Sequence, residues 1–156
     1  MTYVWTAEGW LYVAVLLDLW SRRVVGWATA ETLHTRLTTQ ALQMAVRHRQ
    51  PARGVLHHSD RGVQYASGEY RGWLAAAGLD PSMSRAGNPY DNAAMESFNA
   101  TYKRECVGLA QAGGGYATRA EAADDFFNYV EKYYNRVRRH SALGYQSPVD
   151  FELQLN

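Results

Sequence analysis

The sequence holds one cysteine, Cys106, and only four prolines in 156 residues. A single thiol excludes an intramolecular disulfide and any multi-cysteine zinc site, and it suits a reducing cytosol. Long apolar runs are lacking as well. The longest, Trp10 to Leu17, has eight residues, against the roughly 20 needed to span a bilayer. The N-terminus shows no basic region leading into an apolar stretch with a cleavage site, so no secretory leader is expected and the chain reads as soluble and internal, with no membrane partner. Charge of neither sign dominates: sixteen Lys and Arg against fifteen Asp and Glu leave +1. That balance does not announce a nucleic-acid partner in the way a strongly basic domain would.

What is present fits one domain, residues 1–156, large enough to bury roughly 70% of its unfolded surface. Repeats and low-complexity segments are absent, and Gly113-Gly114-Gly115 reads as a loop between helices. Trp10 to Leu17, ended by Asp18, and Val24 to Ala28, after the polar Ser21-Arg22-Arg23 turn, predict a hairpin whose first strand is buried on both faces. Met1 to Thr6, with Glu8-Gly9 as its turn, predicts an earlier strand pairing with the first of these. Leu37, Ala41, Met44, Ala45 and His48 recur at helical spacing over Thr35 to Arg49, and Pro51 stops that helix. A short strand, Val55 to His58, delivers Asp60, and Ser67 caps a helix running to Gly78. Leu79 to Ser84 predicts another strand, and Arg85 to Tyr90 a loop. Thr118 to Glu121 is a capping box opening a long helix with Ala123, Phe126, Phe127, Val130, Tyr134 and Val137 on its apolar face. Strands first, then helices interleaved with strands, give an α/β class with a mixed sheet.

Two carboxylates stand out, Asp60 in His57-His58-Ser59-Asp60-Arg61-Gly62 and Glu96 in Asp91-Asn92-Ala93-Ala94-Met95-Glu96, with 35 residues between them. A strand end and a helix start are places from which distant acids can converge on divalent cations. Each also has a plainer reading. Ser-Asp-Arg-Gly is a common turn, and an acid in the first turn of a helix is favoured by the dipole alone. Asn99 and Lys103 fall on the same helical stripe as Glu96, opposite Met95, Phe98, Tyr102 and Cys106. Acid, amide and lysine on one stripe suit a metal and the phosphates of a polynucleotide. His57 and His58, adjacent in a strand, point to opposite faces, so one packs and the other borders the site. His140 reads as a surface or packing residue, and Tyr133, Tyr134 and Tyr145 as core or interface. The basic knots Arg22-Arg23 and Arg136, Arg138, Arg139 read as solvated faces.

His57 to Tyr65, Ser82 to Ala93 and Glu96-Ser97-Phe98 resemble bacterial insertion-sequence transposases (OrfB type) with an integrase-like D-D-E core. So do Trp10 to Trp27 and the closing Tyr134-Asn135, Arg139-His140, Leu143-Gly144-Tyr145, Ser147-Pro148 and Phe151. The resemblance covers nearly the whole chain in order. It implies a ribonuclease-H-like mixed sheet flanked by helices, as in the retroviral-integrase superfamily, and metal-dependent transfer of 3′-hydroxyl transposon ends into target DNA. Asp60 and Glu96 map onto the second and third acids, expected to hold two Mg²⁺ or Mn²⁺ ions roughly 4 Å apart. Lys103, Asn99, Arg85 and Asn88 are the expected DNA contacts. Double-stranded DNA, a homo-oligomer on that DNA and a cytoplasmic, nucleoid-associated location follow from the same resemblance.

One member departs from it. The family's first Asp stands two residues before a Thr-Tyr pair, here Thr2-Tyr3, which puts it just before Met1. An N-terminally truncated core, lacking the start of its first strand and an upstream helix-turn-helix region, is therefore expected. With Glu8-Gly9 as the turn, Leu17 would oppose the missing Asp and Asp18 would face the other way, as a turn residue. Three functions stay open: a strand transferase, a catalytically defective fragment that binds DNA or a transposase protomer, and a host nuclease of the same fold.

Overall fold

β-Branched residues alternating with aromatics over Thr2–Thr6 (β1) fold that segment into a strand whose even positions are buried and odd ones exposed. The structure, a computed structural model, describes residues 1–60, 62–83 and 92–154. β1 pairs antiparallel with Gly9–Leu17 (β2), and β2 with Val24–Ala30 (β3). Thr6 faces Gly9 and Thr2 faces Val13, so the tight turn is Ala7-Glu8 and paired residues sum to 15. The expected Glu8-Gly9 turn is off by one residue at each side because Gly9, at φ +109°, takes the left-handed position at the strand entry. β2 is buried on both faces only at its centre, Val13 to Val15; Leu11 is buried on one face, while Trp10, on the other, is 42% exposed and meets Tyr3 and Trp5 edge-on.

A bulge between Leu16 and Leu17 inserts Val25 as an extra residue, so Val24 and Gly26 face opposite sides of the sheet. That matters at Gly26. A Cβ there would lie 2.2 Å from the Ala41 carbonyl oxygen and 2.8 Å from Ala45 N and Cβ, so only glycine admits Thr35–Arg49 (α1) this close to β3. Ala14, Ala28, Leu37 and Ala41 form the thin core on that side. On α1, Leu42 is buried and His48 exposed, a rotation from the expected stripe that follows from small residues, not long ones, meeting the sheet.

The opposite face receives a pair of long helical segments. Ala93–Tyr102 (α4) continues through a wide π turn, Lys103–Val107, into Gly108–Ala112 (α5). After the glycine loop, Arg119–Asn128 (α6) continues through a second π turn, Tyr129–Tyr134. Phe98, Tyr102, Phe126, Tyr129, Val130 and Tyr134 pack there against Val4, Leu11, Val13 and Val15, with Tyr102 edge-on to Phe126 at 5.0 Å. Phe127 and Val137, expected on the apolar face, are 43% and 60% exposed: Phe127 sits one position off the buried row of Ala122, Phe126 and Val130, and Val137 follows a π turn that rotates the stripe a 3.6-residue period projects. Half of the expected capping box forms: Thr118 Oγ1 accepts from Glu121 N, while Glu121 Oε2 accepts from Ala117 N, one residue ahead of the cap.

Leu56–Ser59 (β4) pairs parallel with Asp80–Met83 (β5). Between them lie Val63–Ala66 (α2) and Gly68–Ala76 (α3), the latter capped by Ser67 Oγ accepting from Tyr70 N. Pro148–Leu153 (α7) closes the described chain, capped by Ser147. Its Glu152 accepts from Arg23 Nη1 at 2.6 Å and from Arg49 Nη2, which also reaches Asp18. Antiparallel and parallel strands flanked by helices bear out the α/β expectation. No helix among the described residues is long and apolar enough to cross a membrane.

Candidate active site

Parallel pairing aims the end of β4 past the sheet, and Asp60 follows its last residue, exposed. Its Oδ1 accepts from Gly62 N at 2.7 Å, the Asx turn that the plainer reading described. A Cβ at Gly62 would sit 2.7 Å from the same oxygen, so a larger residue there would make the carboxylate shift. The Met1 amine lies within the field of Asp60: burial lowers the amine's pKa and the Asp60 charge partly restores it. The carboxylate that closes β4 therefore stands beside the amino end of β1.

The two histidines divide as the strand pleat requires. His57 Nε2 is hydrogen-bonded to Tyr70 OH at 3.0 Å, and burial, then the neighbouring His58, bring its pKa down to about 4. His58 Nδ1 lies 3.1 Å from Ser82 Oγ across the β4–β5 pair. His57 is thus a neutral packing residue.

Glu96 stands exposed in the first turn of α4, with Asn92 at the N-cap making no side-chain cap bond. Asn99, half-buried, and Lys103, exposed, share its face, while Phe98, Tyr102 and Cys106 go to the core. Asn99 Oδ1 is buried without a hydrogen-bond partner among the described residues, an acceptor held ready on the same stripe. Lys103 Nζ lies 5.1 Å from the Tyr3 ring centroid, a cation–π contact that anchors its stem on the β1 edge. Arg85 and Asn88 lie outside the described residues.

Asp18 is a structural turn residue. Its Oδ1 accepts from Trp20 N and Ser21 N, and its Oδ2 pairs with Arg49. Among the described residues no group of three His, Cys, Asp or Glu is placed to hold a metal ion. Asp60 and Glu96 are carboxylates, hard oxygen donors of the kind Mg²⁺ takes, and their chemistry fits that ion.

Two features escaped the sequence reading. Arg138 is not a solvated cation: it donates to both oxygens of Glu105, at 2.7 and 2.9 Å, and Tyr129 OH donates to the same carboxylate. These bonds, Arg138 first, hold the Glu105 carboxyl below its ordinary pKa against its partial burial. A separation of 33 residues leaves no local signal for the pair. Asn135, buried, binds Val24 N and Val24 O through its amide, both at 3.0 Å. His140 packs edge-on to Tyr134 at 4.9 Å, as a packing residue would.

Two integrase core domain models match, one over residues 1–89 and one over 77–148. The transposase for insertion sequence element IS904 of Lactococcus lactis subsp. lactis is 46% identical over 152 residues, 97% of this chain and 58% of the relative. Transposase InsF for insertion sequence IS3A of Escherichia coli is 45% identical over 152 residues, 97% of this chain and 51% of the relative. The chain thus spans a little over half the length of these relatives. Among solved structures, a chain of the simian T-cell lymphotropic virus intasome in complex with PP2A regulatory subunit B56 gamma superposes with a TM-score of 0.77 at 13% identity, covering 96% of this chain and 51% of that one. The HTLV-2 integrase catalytic core domain in complex with magnesium (trimeric form) gives 0.72 at 12%, covering 96% and 90%. At such identities the likeness speaks for the fold alone.

Proposed function

The chain belongs to the integrase core domain family, and on that premise we propose that it is the catalytic core of an insertion-sequence transposase, transferring 3′-hydroxyl DNA ends into target DNA. The observation that carries this reading is the placement of two exposed carboxylates. Asp60 closes β4 beside the amino end of β1, and Glu96 opens α4 with Asn99 and Lys103 on its face. From the family pattern we infer a first acid of the triad just ahead of the Thr2-Tyr3 strand, next to the amine that already feels Asp60.

Asp60, Glu96 and that preceding Asp would hold Mg²⁺ or Mn²⁺, which when bound supplies Lewis-acid charge at the attacking and leaving oxygens of a phosphodiester. The chain's own residues do the rest. Gly62 N fixes one Asp60 oxygen and leaves the other to a ligand. Lys103, braced on Tyr3, meets DNA phosphate as a cation. Asn99 offers its unpartnered oxygen to a donor on the DNA end or to a ligating water. Arg85 and Asn88 complete the expected DNA contacts. Double-stranded DNA is the partner, a homo-oligomer on that DNA the working form, and the nucleoid its place. Substituting Glu96→Gln in the longer transposase is expected to abolish strand transfer while DNA binding is kept; equal activity of the variant would sink the proposal.

The shortfall to two carboxylates among the described residues favours a second reading for the 156-residue piece alone: it binds DNA or a transposase protomer and cuts little. Robust Mg²⁺-dependent cleavage by residues 1–156 would refute that.

A further inference from the structure

Far along the chain from Asp60 and Glu96, residues 136 to 154 enclose an open groove of about 640 Å³, within the roughly 300–1,000 Å³ typical of ligand sites. Its wall is built of groups with unused binding capacity. Arg136 and Arg139 are exposed, and neither makes an ion pair with a described residue; Arg136 spends only its Nε, on the Glu131 carbonyl oxygen. Asp150, the carboxylate of the lining, is occupied as the acceptor for Ser147 Oγ at 2.7 Å. Two arginines against one aspartate leave the groove positive.

Tyr145 is the second element. The chain turns back on itself there, His140 N donating to Gln146 O and Tyr145 N to His140 O. The turn holds Gly144 and Tyr145 in consecutive left-handed conformations, φ +63° and +62°. For a bulky aromatic that is strained, and such strain concentrates where a side chain is needed in a set place. The result here is a ring 71% exposed on the rim of the groove, not in the core. The third element is Gln146. Its Nε2 donates to Gln154 Oε1 at 2.9 Å, while its Oε1 is buried without a hydrogen-bond partner among the described residues. An unused buried acceptor in a polar site marks a place for a donor from elsewhere.

We propose that this groove holds a single-stranded stretch of DNA, with Arg136 and Arg139 on its phosphates, Tyr145 stacked on a base and Gln146 Oε1 accepting from a base amino group. Duplex phosphates alone would use the arginines and leave the ring and the amide idle; an unpaired strand uses all of them. The inference deepens the reading of the chain as a DNA strand transferase by giving it a second contact for an unpaired strand, separate from the metal-binding acids.

The test is fluorescence anisotropy of the 156-residue chain with a labelled single-stranded oligonucleotide and its duplex, over a range of salt. For an R136A/R139A variant the plot of log affinity against log salt is expected to lose about 1.4 in slope on the single strand, two contacts at about 0.7 each. Tyr145→Gly relieves the left-handed strain, so its Tm should be unchanged or higher. Its affinity for the single strand should nevertheless fall by about fivefold to a hundredfold, the range for loss of one stacked base, with duplex affinity held within about twofold. Loss of binding in a variant that is no less stable is not misfolding. Unchanged slope and affinity in both variants would overturn the proposal, as would a change confined to self-association in sedimentation velocity, which would make the groove a contact between copies. Glu96→Gln should bind the single strand like the parent chain. Strand transfer that survives Glu96→Gln, with groove binding intact, would therefore count against the catalytic reading and not against this one.

Discussion

Asn135→Ala is expected to be among the most damaging single changes outside the candidate active site. The Asn135 side chain behaves as a piece of strand: its Oδ1 accepts from Val24 N and its Nδ2 donates to Val24 O, both at 3.0 Å. Its own carbonyl accepts from Val149 N, so one buried amide joins β3, the end of the second π turn and α7. Val24 is 3% exposed and Asn135 2%, so water cannot readily replace the lost partners. Each buried backbone group left unpaired costs about 1–3 kcal/mol, which puts the pair near 4 kcal/mol, a large share of a typical domain's 5–15 kcal/mol. At about 2–4 °C per kcal/mol for a chain of this size, the Tm should drop by about 8–16 °C. Asn135→Asp keeps an acceptor for Val24 N but sets an anionic oxygen against Val24 O, and it should cost at least as much. Urea and thermal unfolding of both variants measure this. A loss below about 1 kcal/mol in either would refute the claim that Asn135 completes the strand end.

Gly26→Ala should destabilise by about 3 kcal/mol or more, because the new Cβ meets backbone and not a flexible side-chain end; a urea midpoint unchanged from the parent would contradict the close α1–β3 contact. Stability should also fall with acid in an ordered way. His57 and His140 have pKa values brought down to about 4, in each case by burial first. Protons thus bind the unfolded chain before the folded one, and stability present above pH 6.5 is lost as pH drops from 6.5 toward 4. Glu105 and Glu152, both held below their ordinary range in the fold, add a further loss below about pH 4.5. Tm measured from pH 7 to 4 should decline through the histidine window, and a His57→Asn, His140→Asn double variant should show a flatter decline; an unchanged profile would count against neutral buried histidines.

Much of this was legible along the chain. Strand alternation, the Pro51 stop, the Ser67 and Thr118 caps and the Asp18 turn are local devices, readable because each acts within four residues. The stripe of Glu96, Asn99 and Lys103 was readable for the same reason, and the family signature supplied the order of the acids. What escaped was non-local or broke a standard period. A bulge at Val25 and a turn shifted to Ala7-Glu8 depend on which residue takes a positive φ or an extra place in the ladder. The exposure of Val137 follows from a π turn that a 3.6-residue projection cannot anticipate. Arg138 looked like its neighbours Arg136 and Arg139 in sequence, yet Glu105, from the other helical segment, takes it out of the basic patch. Tyr145 was expected in the core or at an interface; the left-handed turn at Gly144-Tyr145 takes it out of the core.

The central claim is that Asp60 and Glu96 converge on one divalent-cation site. Titrating Mn²⁺ into the ¹⁵N-labelled chain tests this without requiring turnover, since paramagnetic broadening registers weak binding. Amides around Asp60 and Gly62 and those around Glu96 and Ser97 should broaden together at the lowest Mn²⁺, and a D60N/E96Q variant should abolish the effect at both. Broadening at one acid without the other, or centred instead on Glu121 to Asp125, would contradict the account.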